Sequence, residues 1–429
     1  MSYEWKATFE KTNSGNRLFE VCDVAFFVNK TNEFKSLNKV EQGKYKGAAD
    51  YIRKTYNFEM SPLGKNYALF KSEIDKQLVK HLIPNVIFID YMLREEAIFD
   101  LLASFEDEKY IKEIYRQKKL TVSEKSGLNT ERAKTIVECL KQGRSLLQTG
   151  QHTDILTKPL IDFYAATAYA YAIIVINSPI HKSLDSLNQS HGHKYIPSKK
   201  SIDFGGTMPR GTFLDLVGAI FMSRVTYNGI EIQYPVINSI ENLQNSNISL
   251  SLSALLSMIP EIQDDYQRFD NDHSCVHQLT IDTETRNAKL EYNFYVGDGI
   301  KKPNYAKLKE AFFKSSIKEL QGSYKITVDS NNIGNIIPTI YNDIHGNLWY
   351  IDSPIEGIVL PEICIHFLII SALCSIMRYT PHEWSDILSN KISSAFSLLI
   401  NRYLKLFEKK FPMMIVPYVS NYSPIFKIK

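Results

Sequence analysis

Three groupings in this 429-residue chain bring together residue types that could do chemistry. In "HSCVH", His273, Cys275 and His277 alternate, and imidazoles with a thiolate make a ligand set suited to zinc. Alternation on a strand would place all three on one face, and no fourth ligand follows at a recognisable spacing. A polar sheet edge is therefore the expected structure there, and no metal or cofactor is assigned. In "SHGHK", His191 and His193 flank Gly192 and precede Lys194, so that a loop could present two imidazoles to a metal or a phosphate.

The third grouping is "MRYTPHEW", where Arg378 and His382 could bind a phosphodiester and move its protons without a metal. Ribonucleases of the HEPN type use an arginine and a histidine in this way, but here only three residues separate the two. A wider match, Arg268 with His273 in "RFDNDH", lies among Asp and Asn residues that favour a loop over the helix such chemistry needs. Local physics gives the corner a structural account instead. Thr380 is a capping residue, Pro381 occupies the first helical position and Glu383 the third, which is a capping box. Tyr379 before the cap and Trp384 at the fourth position would form a hydrophobic staple. Arg378 would lie in the last turn of the preceding helix, where a cation offsets the helix dipole.

The elements that must position these groups are mainly helical. Apolar residues at Ile98, Leu101, Leu102 and Phe105 share one helical face, within a helical stretch from about Ser72 to Arg116 that Pro84 would break. Asn129 should cap a helix carrying Ala133, Ile136, Val137 and Leu140, which forms a hairpin with a second helix from about Lys158. The polar stretch 178–210 reads as a long surface loop, and "LSALLSMIPEIQDDY" as a helix. Alternation in "HQLTID", "AKLEYNFYV", "SYKITVD" and "NLWYID" predicts strands. "YAKLKEAFFKSSIKEL" should be a helix between them, and two helices, 360–377 and 381–410, follow. The fold class expected is α+β: a mainly helical core with a small, mostly antiparallel sheet in the second half. By domain this gives an amino-terminal extension over 1–85, then a second domain over 86–429. The latter is helical to 270, strand-rich over 271–355 and helical over 356–415.

Composition narrows the function. With 44% hydrophobic and 23% charged residues the chain is an ordinary globular protein, and its net charge of +3 supplies no general attraction to nucleic acid or acidic membrane. The five cysteines form no CxxC pair, which fits a reducing cytoplasm. The apolar windows 364–377 and 165–176 fall short of the roughly 20 residues of a spanning helix and read as buried core helices. No GxSxG elbow, GxxxxGK[ST] loop or HExxH pair is present, and "FGGTMPRG" lacks the Rossmann spacing.

From "CLKQGRSLLQTGQHTDILTKPLIDFYAATAYAYAIIVI" through "SHGHK" and "LSALLSMIPEI" to "MRYTPHEW", about residues 90–415, the chain resembles the YaaC-like family of bacterial proteins. The matching features are Gly143 in a turn ending a helix, Lys158 to Leu160 with Phe163 and Tyr164, His191 with Gly192, and Ile259 to Glu261. Arg378, Tyr379, Pro381 and Trp384 complete them. The resemblance implies a bacterial cytoplasmic protein and marks Lys158, Tyr164, His191, Gly192, His193 and Lys194 as binding candidates. The expected function is a non-enzymatic binding or regulatory module with a protein partner, a nucleic acid being the other partner considered, no membrane, and self-association left open. The alternative is a metal-independent ribonuclease acting in stress or phage defence through Arg378 and His382.

Overall fold

The computed structural model describes Lys39 and, in the unit 83–429, residues 94–117, 127–178, 181–188, 190–204, 211–222, 249–270, 275–286, 289–297, 302–312, 315–329, 340–345, 347–354 and 360–420. It also describes the backbone of the short strands 86–89, 226–227, 230–231 and 423–426. The expected extension 1–85, Pro84, Cys22, His273 and the segment 205–210 lie outside the described residues, apart from Lys39.

Helices in chain order are α1 (Arg94–Ser104), α2 (Glu108–Gln117), α3 (Thr130–Gln151), α4 (Lys158–Asn177), α5 (Thr212–Met222), α6 (Leu252–Leu256), α7 (Gln263–Phe269), α8 (Tyr305–Ala311), α9 (Glu362–Tyr379), α10 (Pro381–Leu388) and α11 (Ser394–Ser420). Strands are β1 (Val86–Ile89), β2 (Lys194–Ile196), β3 (Ser201–Asp203), β4 (Thr226–Tyr227), β5 (Ile230–Glu231), β6 (Ser249–Ser251), β7 (Val276–Arg286), β8 (Lys289–Val296), β9 (Ser316–Leu320), β10 (Ser323–Asp329), β11 (Ile340–Asn342), β12 (Leu348–Ile351) and β13 (Ser423–Phe426). The architecture is mixed α+β and mainly helical, as the patterning predicts.

α4 is the axis of the helical body. Its sequence is apolar on every side, so it buries 16 of its 20 residues against α3, α5, α9 and α11. Asn129 caps α3 by accepting from Arg132 N at 2.7 Å, as expected. The α3–α4 hairpin also forms as expected. Gly143, however, lies inside α3 rather than in a terminal turn: a Cβ there would stand 2.7 Å from the ring of Tyr169 on α4, so glycine permits the close approach. At the other end of α4, Arg132 of α3 donates to the carbonyls of Val175 (2.8 Å), Ile176 and Ser178 (3.3 Å each). A cation thus meets the negative end of the α4 dipole and satisfies its last carbonyls.

Helices α4 and α9 are long and apolar enough to cross a membrane by composition, but 78% and 72% of their most apolar windows are buried inside the protein. They are core helices here.

The four predicted strands are β7, β8, β10 and β12 of a six-stranded antiparallel sheet, in the order β11-β12-β7-β8-β10-β9. Several expectations need correction. The stretch from Tyr305 to Leu320 is not one helix: α8 ends at Ala311, and "SIKEL", with residues alternating across the pleat, is the edge strand β9. "LSALLSMIPEIQDDY" is broken into α6, a 3₁₀ turn starting at Pro260, and α7, because proline cannot continue the first helix. The carboxyl-terminal run is split between α10 and α11 near Asn390, which adopts a left-handed φ of 62°. The 178–210 stretch is not all loop, since β2 and β3 join β6 in a small antiparallel sheet. β1 interrupts the helical stretch 72–116 and pairs in parallel with β13.

His277 also departs from the reading of a polar sheet edge. β7 lies between β12 and β8, and His277 is buried against Tyr350, with Nε2 3.9 Å from an Asp352 carboxylate oxygen. Cys275 Sγ lies 3.3 Å from Ser257 Oγ. Cys139, Cys364 and Cys374 are free thiols.

Candidate functional site

The 190–193 loop is held by backbone contacts that demand glycine at two points. Gly192 has a φ of 76°, and a Cβ on Gly211 would fall 2.3 Å from the Ser190 carbonyl oxygen. With the chains this close, Thr212 N donates to Ser190 O (2.9 Å) and Phe213 N to His191 O (3.1 Å), which occupies free donors at the α5 amino terminus.

His193 fastens the loop to α9. Its Nδ1 lies 3.0 Å from His191 O, and a carbonyl can only accept, so Nδ1 carries the proton. The other nitrogen, Nε2, then accepts from the Ser371 hydroxyl at 2.7 Å. Phe204, Phe213 and Phe367 surround the ring at 5.7 to 6.0 Å. Burial pushes its pKa down to about 4, so the ring is neutral and its hydrogen bonds persist across the physiological range. This histidine positions the loop.

His191 is different, because it is exposed. Its ring meets the edge of Phe163 from α4 at 5.1 Å, and its pKa is lowered by partial burial and then by the Arg378 charge. Ser371, Cys374 and Arg378 recur at spacings of three and four residues, so they form one stripe of α9 facing the loop. Burial raises the pKa of the Cys374 thiol to about 11, with Arg378 on the same stripe opposing the rise. The guanidinium carbon also stands 5.0 Å from the Tyr379 ring centroid. Tyr164, next to Phe163, and Tyr379 are 48% and 68% exposed, unusual for side chains of this size beside a packed core. Glu383 of α10 adds a negative charge near Tyr195, whose pKa rises to about 12, mainly through burial.

The structure thus gathers His191, Gly192, His193 and Arg378, drawn from positions far apart in sequence, while Tyr164 is exposed on α4 next to the Phe163 that His191 meets. Other candidates stand elsewhere. Lys158 is buried, with Nζ 3.0 Å from Gly150 O and from Asp162 Oδ2 and in contact with Glu408. Lys194 is exposed on β2, opposite Asp203. His382 is exposed on α10 and makes no hydrogen bond or ion pair among the described residues. Arg268 lies 3.6 Å from Asp265, which Arg402 also holds at 2.6 and 2.7 Å. No group of three or more His, Cys, Asp or Glu residues suited to a metal occurs among the described residues.

The corner itself departs from its sequence reading. Thr380 does not cap α10; its hydroxyl donates back to Ile376 O at 3.0 Å. Tyr379 points to solvent and forms no staple with Trp384. Instead Trp384 is buried and its Nε1 donates to Leu156 O at 3.0 Å, tying α10 to the α3–α4 connection. Sequence reasoning missed Tyr379 as a surface group and Ser371 as the partner of His193. The stripe shared by Ser371 and Arg378 was the available signal.

No curated protein and no solved structure matches the chain. One family model, described as YaaC-like protein, matches residues 101–419 and so spans the helical body, the sheet and the surface just described. The chain belongs to the YaaC-like family.

Proposed function

We propose that the protein is a bacterial cytoplasmic binding module that docks a partner protein through Tyr164, His191, Arg378 and Tyr379. The observation that carries this reading is the convergence of exposed Tyr379, Arg378 and the His191 imidazole on α9 and the glycine-pinned loop, with a second exposed tyrosine, Tyr164, on the adjoining α4. Tyrosine and arginine are among the residues that most often dominate protein interfaces, tyrosine because it presents a large rigid surface at low entropic cost and arginine because its planar guanidinium carries five donors and stacks on aromatic rings. The small net charge favours a protein over a long polyanion.

The test is capture of partners from the native host with the intact protein and with Arg378→Ala and Tyr379→Ala. A stoichiometric partner lost in both variants supports the reading, and a partner retained by both removes this surface from it.

A second reading has its own observation: the histidine within electrostatic reach of Arg378 is His191. In a metal-independent ribonuclease, Arg378 would hold the phosphate and His191, neutral at pH 7, would accept the 2′-hydroxyl proton as that oxygen attacks phosphorus, then return it to the departing 5′-oxygen as the P–O bond breaks. It predicts RNA cleavage in chelator that His191→Ala abolishes and His382→Ala spares. Absence of cleavage eliminates it.

A further inference from the structure

Among the described arginine side chains, Arg378 differs from the rest. Arg116 pairs with Glu113 and Arg144 with Glu106, Arg268 and Arg402 share Asp265, and Arg132 is held by backbone carbonyls. Arg378 is exposed and has no carboxylate or carbonyl partner among the described residues; its guanidinium rests against the Tyr379 ring, and the imidazole of His191 lies within reach of its charge. The ring nitrogens of His191 likewise have no hydrogen-bond partner among the described residues.

No acid offsets this pair. Burial and then Arg378 lower the His191 pKa, and no carboxylate opposes them. His193 of the same loop is neutral, the Cys374 thiol is kept protonated by burial, α4 contributes Phe163, and the α5 acid Asp215 stands 3.3 Å from His181. Glu383 of α10 acts on Tyr195 of β2 and not on His191. An arginine and a protonatable imidazole without a counter-charge, fixed on α9 and the glycine-pinned loop, make a site for an anion.

The donors select the kind of anion. Phosphate sites draw on free backbone N–H groups at a helix start or in a turn. Here those groups are committed: Thr212 N donates to Ser190 O, Phe213 N to His191 O, and Gly192 N to Ser190 Oγ at 3.2 Å. What remains is one planar guanidinium fork and one imidazole, which match the two oxygens of a carboxylate. Tyr379, 68% exposed beside the fork, adds apolar surface next to the charge.

We propose that Arg378 and His191 together seat a carboxylate of the partner protein, an Asp or Glu side chain flanked by apolar residues; this rests on the partner-docking reading of the same surface. Arg378 supplies the permanent charge. As pH falls His191 gains a proton, a second positive charge meets the carboxylate, and binding tightens.

The experiment measures binding of the full chain to end-capped peptides with Asp, Asn or phosphoserine at a fixed centre and mixed apolar flanks. The expected result is selection of the Asp set, weakened roughly 10- to 100-fold by Arg378→Gln and only partly restored by Arg378→Lys, which keeps the charge but not the fork. Affinity for the Asp set should rise as pH falls from about 7.5 to about 6, and His191→Gln should remove that rise. No binding of the Asp set, equal binding of the Asn set, stronger binding of phosphoserine, or Asp binding that survives Arg378→Gln would overturn the proposal. Any of these leaves the docking reading standing if a native partner is still lost in Arg378→Ala and Tyr379→Ala, whereas a partner retained by both variants removes the docking reading whatever the peptides show.

Discussion

Replacing Lys158 by methionine tests whether this family residue serves the fold or a ligand. Lys158 is 5% exposed, and its ammonium lies between Asp162, which is fully buried, and Glu408. Burial is the main cause that raises the Asp162 carboxyl from 3.8 to about 7; Lys158 opposes the rise and Glu408 adds to it. Methionine keeps the apolar stem but leaves two carboxyls without their cation. Breaking a buried pair in this way costs about 3–5 kcal/mol, a large part of the roughly 5–15 kcal/mol that stabilises a domain.

The pH dependence has a definite sign. A carboxyl whose folded pKa exceeds its unfolded value binds its proton more tightly when folded, so stability falls as pH rises from 3.8 towards about 7. Without Lys158 the carboxyl titrates still higher, and acidification should return up to about 1.4 kcal/mol per pH unit. Urea unfolding followed by tryptophan fluorescence at pH 7.5 and pH 5 measures both, with Trp384 reporting from the neighbouring Leu156 contact. The account predicts a large loss at pH 7.5 that shrinks at pH 5, and substantial recovery in the double variant with Asp162→Leu. A loss below about 1 kcal/mol at pH 7.5, or one that grows on acidification, would refute the reasoning.

Further predictions concern packing, capping and the second buried cluster. Gly143→Ala should lower stability by about 1–3 kcal/mol, read as a fall in Tm, because its methyl meets Tyr169; stability gained, as helix propensity alone would give, contradicts the close approach. Thr380→Ala should cost under about 0.5 kcal/mol rather than the ~1 of a lost N-cap, since the hydroxyl bonds only Ile376 O. Glu362 touches Lys410, and burial, partly offset by Lys410 and reinforced by Glu261 and Asp343, raises its pKa to about 7. Wild-type stability should therefore fall as pH rises towards 7, and Glu362→Gln should flatten that slope in Tm measured against pH. Parallel slopes would refute it.

What was legible in the sequence was local and strongly periodic. The Asn129 cap, the α3–α4 hairpin and the four principal strands follow from cap chemistry and alternation within a few residues. β2 and β3, three residues each, are too short to show alternation, and β1 and β13 pair across almost the whole domain. The α9–α10 corner was misread because a threonine hydroxyl can serve either helix, and here it bonds the carbonyl four residues back. That frees Tyr379 for the surface. The candidate site was legible only as pieces, His191 in one place and Arg378 in another. The contacts that join them, His193 to Ser371 and His191 to Phe163, carry no local signature.

The most direct test of the proposed partner surface places a photo-crosslinking amino acid at Tyr379 and, in a separate variant, at Tyr305, which is 50% exposed on α8. Irradiation in the native host should give a discrete protein adduct at position 379 that disappears when Arg378→Ala and Tyr164→Ala are added, and none at 305. Equal adducts at both positions, or an adduct at 379 that survives both substitutions, would contradict the account.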